Sequence, residues 1–265
     1  MAALHLMYPM PPIPSETQDP DQPILTAAEL LAHRRKRGTA PAFPPPEAVI
    51  LGYQRHLIEY ATRRHPVKKV NGFYGDLYLL KRTGGRVALA GGFGIGAPVT
   101  AVLVEDLAAF GARRFVALGL AGGLQPDLRV GDLVVCERAI RDEGTSRHYL
   151  PPARRVEADP GIVLGLGQRL AARGQSYMTG TSWTTDAPYR ELRRDVEAHQ
   201  RDGVKTVEME AAALFAVGQA LKLSTGAAFA VADTLSGLRW RLEADLRATH
   251  RGLEILFEAA VDYLT

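Results

Sequence analysis

From residue 47 onward this chain alternates short apolar runs with longer amphipathic stretches, and that alternation restricts the available folds more than any other feature. Runs at 48–51, 74–81, 86–90, 114–118, 133–140 and 227–231 read as strands. Residues 97–110, 161–173, 189–199 and 242–264 carry the spacing of helices, with Gly111 and Gly174 placed to end the first two. Strands separated by helices build a sheet whose faces the helices cover, so the expected class is α/β. At 265 residues, 46% apolar and 23% charged, the chain has the composition of a globular protein with a full core.

Residues 1–46 read differently. Pro9, Pro11, Pro12, Pro14, Pro20, Pro23, Pro41, Pro44, Pro45 and Pro46 hold most of the chain's 17 prolines, which no single regular element can accommodate. One helix is expected there: Thr26 and Glu29 form a capping box, Leu30 and Leu31 follow, and Gly38 stops it. The basic run Arg34-Arg35-Lys36-Arg37 reads as a solvated, dipole-compensating helix end. The single cysteine, Cys136, excludes an internal disulfide and sits in an apolar run as a core residue. A net charge of +3 is too small to read as a nucleic-acid footprint. The start lacks a secretory signal and no apolar stretch is long enough to span a bilayer, so the expected setting is cytoplasmic, without nucleic-acid or membrane partners.

Two local patterns carry chemistry. The run 207–214, Val-Glu-Met-Glu-Ala-Ala-Ala-Leu, puts two carboxylates and a thioether where an apolar strand meets an Ala-rich helix. A buried carboxylate costs several kcal/mol unless it is paired, so Glu208 and Glu210 either serve the helix dipole or meet a ligand. The second pattern is Gly92-Phe93-Gly94-Ile95-Gly96-Ala97, of the form G-x-G-x-x-A. A dinucleotide site needs an acid at the end of the next strand, and Leu118-Gly119-Leu120 supplies none. The loop instead brings bare backbone close to an anion or a sugar, with Pro98 suited to the first turn of the following helix.

Further blocks occur in order along the chain. Residues 119–124, Gly-Leu-Ala-Gly-Gly-Leu, precede Gly131-Asp132. Arg141-Asp142-Glu143-Gly144-Thr145-Ser146, the segment 180–189 and Asp233 follow. Together with the glycine loop and the Val-Glu-Met-Glu-Ala-Ala run, they resemble the nucleoside phosphorylase superfamily, which includes purine nucleoside phosphorylases, uridine phosphorylases and methylthioadenosine nucleosidases. The resemblance implies a single domain with a mixed, partly barrel-like central sheet flanked by helices. Residues 47–265 would form that catalytic domain and 1–46 an extension. It also implies homo-oligomers, dimer-based and up to hexameric, whose neighbours complete each other's sites. The implied reaction cleaves the N-glycosidic bond of a nucleoside, with inorganic phosphate as co-substrate and no cofactor or metal. In that reading Glu210 bridges the ribose hydroxyls and Met209 packs on the sugar. Asp233 hydrogen-bonds or protonates the leaving base, and Trp183 stacks on it. Gly94, Gly122 and Tyr189 line the substrate site.

The phosphate side departs from the family pattern. Its usual arginines are replaced by Ala117 and by Asn71 before Gly72, and its usual hydroxyl by Leu120. The first strand runs into Gly52-Tyr53-Gln54-Arg55, which keeps one arginine at shifted spacing. A phosphate dianion needs charge-assisted donors, and Arg55, the Gly94 backbone and Arg141 are the expected ones here. Two alternatives stay open. One is phosphate-independent hydrolysis, although no carboxylate follows the first strand until Glu59. The other is a non-catalytic nucleoside-binding relative. Base preference, purine or pyrimidine, is also open.

Overall fold

In a computed structural model, residues 23–265 are described. Pro9, Pro11, Pro12, Pro14 and Pro20 lie outside the described residues. The elements are α1 (Ala27–Lys36), β1 (Ala48–Gly52), α2 (Arg55–Arg64), β2 (Val67–Val70), β3 (Asp76–Leu80), β4 (Val87–Gly91), α3 (Ala97–Phe110), β5 (Arg114–Gly123) and β6 (Leu133–Asp142). They continue with β7 (Arg155–Glu157), α4 (Pro160–Ala172), β8 (Met178–Thr185), α5 (Arg193–Arg201), β9 (Thr206–Glu208), α6 (Ala211–Leu221), β10 (Ser224–Thr234), β11 (Arg241–Leu242) and α7 (Arg247–Leu264).

All strands join one mixed sheet. β5 pairs in parallel with β10, β10 antiparallel with β6, β6 in parallel with β8, β8 in parallel with β9, and β9 antiparallel with β5, which closes a barrel-like ring. From β5 the sheet continues outward through β1, β4, β3 and β2. The expected mixed, partly barrel-like α/β domain is the architecture found. The central strands are buried on both faces, so their side chains divide by parity. Val49, Leu51, Ala88, Ala90, Phe115 and Ala117 pack on the face covered by α3 and α6. Ala48, Ile50, Val87, Leu89, Val116 and Leu118 pack on the face covered by α2, α4 and α7.

α6 is apolar all round because both its sides are covered: residues 211–218 are all buried between the sheet and α3. α3 spans the residues the sequence predicts, with Pro98 in its first turn and Gly111 at its end. α1 forms with both hydrogen bonds of its capping box. It packs on α3, and the Arg34 guanidinium donates to the Gly72 carbonyl at 2.9 Å. Phe43 then stacks edge-on against Phe73 and Phe110.

Three of the expected segments differ from the fold. The helix expected over 189–199 is a short 3-10 turn, Pro188–Arg190, followed by α5, because Glu191 and Leu192 adopt non-helical backbone angles between them. The final helix starts at Arg247, since residues 241–242 instead pair antiparallel with Asp233 and Thr234. The segment 180–189, to which the strand pattern assigns no element before 189, is mostly strand β8.

Phe215 is fully buried at the centre of α6. Phe215→Ala should lower the unfolding free energy by about 3–5 kcal/mol in a denaturant titration, because the tightly packed helix cannot collapse into the space left.

Candidate functional site

A cavity of about 660 Å³ opens at the end of the ring, walled by residues 120–122 of β5, Val207 to Met209 at β9 and Ala232 and Asp233 of β10. Pro188, Tyr189, Glu191, Leu235 and Trp240 complete its rim. The register of β10 against β5 breaks between Val231 and Asp233, leaving Ala232 as the extra residue. A bulge re-aims the side chain that follows it, and Asp233 here lies opposite Gly122. A Cβ on Gly122 would lie 2.8 Å from Asp233 Oδ1 and 3.1 Å from Val207, so only glycine leaves room for that carboxyl. Burial raises the Asp233 pKa, and hydrogen bonding from Trp240 opposes the rise.

The seam between β9 and α6 holds the two glutamates. Glu208 is buried, and its Oε2 accepts from the Glu210 and Ala211 amides, both at 2.7 Å. Its Oε1 accepts from the Thr184 and Ser182 hydroxyls. Thr184 also accepts from the Ala212 amide at 3.0 Å, so the first amides of α6 are satisfied by side chains from β9 and β8. Glu208 is therefore the cap of α6. Burial still raises its pKa, against those hydrogen bonds.

Glu210 turns the other way. It is 8% exposed, and its Oε1 accepts from the Gly96 amide at 2.6 Å. Burial, and then the Glu208 charge, push its pKa up to about 8. The hydrogen bond ties the Val-Glu-Met-Glu run to the glycine loop, where Gly92, Gly94 and Gly96 all have positive φ. A Cβ on Gly92 or Gly94 would meet nothing within 4 Å, so the loop backbone faces open space. Tyr53 lies beside this junction, its hydroxyl 3.0 Å from Thr100 Oγ1 and its ring edge-on to Phe93. Burial and then Glu210 raise the Tyr53 pKa well above its ordinary value.

Of the residues singled out from the sequence, Met209, Asp233, Gly122 and Tyr189 share the cavity wall. Glu210 follows Met209 in the chain and, through the Gly96 amide, reaches the glycine loop that contains Gly94; neither lines the cavity. Three residues are placed elsewhere. Trp183 is 2% exposed among Leu124, Val196, Val204 and Val207, and its indole donates to Asp142 at 2.8 Å. It alternates with Ser182 and Thr184, which face Glu208, so strand parity turns its ring behind the wall. Arg55 is 91% exposed and paired with Glu59 one helical turn away. Arg141 is engaged by Ser146 and by the Leu150 and Pro151 carbonyls, where it braces a loop.

The sequence does not single out Glu191 and Trp240, which line the cavity, or Tyr53 beside the glycine loop. The Glu191 carboxyl is pushed up to about 7 by burial and by Asp233. In a continuous helix from 189, nothing would mark residue 191 as an inward position; the break in the backbone there brings it to the rim.

A family profile described as the phosphorylase superfamily matches residues 46–261, and the chain belongs to that superfamily. Among curated relatives it is 33% identical over 151 residues to a uridine phosphorylase of Thermococcus kodakarensis, covering 52% of this chain and 54% of that one. It is 33% identical over 134 residues to a guanosine phosphorylase of Halorubrum lacusprofundi, covering 51% and 56%. The aligned part thus spans a little over half the length of these relatives. The crystal structure of uridine phosphorylase from Vibrio fischeri superposes with a TM-score of 0.73 at 22% identity, over 83% of this chain and 92% of that one, a likeness of fold.

The raised pKa of Glu210 has a consequence for stability. Between the ordinary 4.5 and about 8, the unfolded chain has released a proton that the folded chain keeps. Its contribution is therefore full below the lower value and is lost as pH rises through the upper one, on the order of a few kcal/mol in all. Thermal melts from about pH 5 to about pH 9 should show a falling Tm in the native protein and a shallower fall in Glu210→Gln, which has no proton to release. Parallel curves would show that Glu210 does not carry the shift.

Proposed function

We propose that this protein cleaves the N-glycosidic bond of a nucleoside by phosphorolysis, releasing a free base and a pentose 1-phosphate. One observation carries the reading: a single cavity has Met209 on one wall and Asp233 on another, with Glu210 next to Met209. Bond breaking leaves an oxocarbenium-like sugar and an electron-rich base. Met209 packs against the sugar, and Glu210 hydrogen-bonds the sugar hydroxyls beside the developing positive charge. Asp233, whose proton affinity is raised by burial, stands where it can hydrogen-bond or protonate the departing base. Tyr189 and Trp240 supply the aromatic walls that Trp183 does not. Membership of the superfamily and the likeness to uridine and guanosine phosphorylases support the same reading.

Residues 47–265 form the catalytic domain in this proposal, with 1–46 an extension folded back on it from Thr26 onward. The protein works in the cytoplasm as a homo-oligomer. Tyr189 is 98% and Trp240 64% exposed at the cavity rim, where a neighbouring copy would cover them. Phosphate enters beside the Gly92 to Gly96 backbone.

A second reading, hydrolysis, has one observation in its favour. Neither Arg55 nor Arg141 reaches the cavity, and no Lys or Arg stands among its described lining residues. A nucleoside panel assayed with and without phosphate separates the two. Phosphorolysis predicts base release only with phosphate; release at equal rates without it would establish hydrolysis. No release, together with a Tm raised by a nucleoside, would identify a binding protein. Glu210→Gln should lower kcat/KM by about 100-fold or more, on the scale of removing one transition-state contact, and a native rate would refute its placement at the sugar.

A further inference from the structure

Residues 26–45 fold back on the body of the protein, and three of their side chains grip one loop, residues 71–75 between β2 and β3. Arg34 Nη1 donates to the Gly72 carbonyl at 2.9 Å and its Nη2 to the Thr39 carbonyl, so one guanidinium ties α1, the chain that follows it and the loop together. Such charge-assisted bonds are stronger than the neutral ones that hold an ordinary loop. Pro41 lies so close to Gly72 that a Cβ there would be 2.7 Å from its ring. The Phe43 ring meets Phe73 and Phe110 edge-on, and Phe73 meets Phe110 in turn.

The loop held in this way backs the glycine loop. A Cβ on Gly75 would overlap the Gly91 carbonyl and lie 2.8 Å from the Phe93 nitrogen, so backbone rests directly on backbone. The next residue, Asp76, pairs with Gly91 in the sheet. Beyond that contact Gly92, Gly94 and Gly96 hold φ of 66°, 100° and 99°. Glycines lose the most freedom when fixed, so a loop of them stays in one shape only where something restrains it. Glu210 restrains the Gly96 end. The Gly92 end rests on Gly75, and through that loop on Arg34.

We propose that Arg34 is a positioning residue for phosphate: through Gly72 and Gly75 it fixes the Gly92 end of the glycine loop, beside which the co-substrate sits. This rests on the phosphorolysis reading and gives the extension a part in binding. Arg34 is engaged by Gly72 and Thr39 and acts through the loop, with no contact to the anion required. No Lys or Arg stands among the described residues lining the cavity. Backbone amides must then carry more of the binding, and they bind an anion well only when held in place beforehand.

The test uses the full-length protein and two variants, Arg34→Ala and Arg35→Ala. Arg35 is an exposed neighbour on the same helix, so its loss removes the same charge and leaves the bond to Gly72 intact. Phe43 still anchors the extension in both. In Arg34→Ala the KM for phosphate should rise at least about fivefold, the lower end of coupling between separate sites, while kcat and the nucleoside KM stay within about twofold. Calorimetric binding of inorganic phosphate should weaken by the same factor, and hydrogen exchange should quicken in peptides spanning 71–79 and 88–97. Arg35→Ala should match the native protein throughout. An equal rise of the phosphate KM in both variants marks a charge effect and overturns the role of Arg34. So does a fall in kcat with the phosphate KM unchanged, or faster exchange that stops short of residue 88. If the native protein binds no phosphate and cleaves nucleosides without it, the phosphorolysis reading fails and phosphate positioning with it. Exchange at 88–97 then still decides whether Arg34 sets the glycine loop.

Discussion

The site depends on one buried carboxylate. Glu208 gathers two backbone amides and two hydroxyls, and through them it fixes where β9 ends, where α6 begins and how β8 lies against both. A buried anion without such partners would not be tolerated. With them, the chain makes a sharp, rigid corner, and Met209 and Glu210 occupy it. Their positions follow from the cap, so the two residues that would meet the sugar are placed by a neighbour whose carboxylate is spent on protein hydrogen bonds. The same corner feeds the Glu210 side chain to the Gly96 amide, which couples the start of α6 to the start of α3. Since α3 and α6 pack on each other on one face of the sheet, the corner, the glycine loop and the two helices behave as one unit.

The ring supplies the other half. β5 and β10 run in parallel side by side, and a bulge at Ala232 offsets their last residues. Without the extra residue, Asp233 would fall out of step and its side chain would face the opposite side of the sheet. With it, the carboxyl stands over Gly122, in space that any side chain at 122 would fill. Two backbone irregularities, a bulge and a cap, thus bring an acid from β10 and a thioether and an acid from the β9–α6 corner to one cavity.

Much of this was legible in the sequence, for physical reasons that can be named. α3 could be read to its ends because Pro98 and Gly111 act locally. β1, β4 and the start of β5 could be read because strands buried on both faces are continuously apolar. β8 was not legible: Ser182 and Thr184 are buried polar residues that serve Glu208, so the strand carries no hydrophobic alternation, and its one large residue, Trp183, looks like a ligand contact while facing the core. The short strands β2, β7, β9 and β11 exist through their pairing partners and leave little local trace. Arg55 and Arg141 were chosen by residue type and place in the chain, but what an arginine does is set by its neighbours in space, Glu59 in one case and two carbonyls in the other. Glu191 escaped because it depends on a break between two helical turns.

Four carboxyl groups, of Glu191, Glu208, Glu210 and Asp233, thus surround one site, each with its pKa raised and burial as the leading cause. Their charge is moderated by protons and backbone amides. For phosphorolysis this matters, because an ionised Glu210 at the glycine loop would repel an incoming dianion. With a pKa near 8, Glu210 is mostly protonated at neutral pH. It can then stand beside phosphate without opposing charge. A site poor in arginine tolerates an anion the more readily the more its acids hold their protons, and burial favours the protonated form of each.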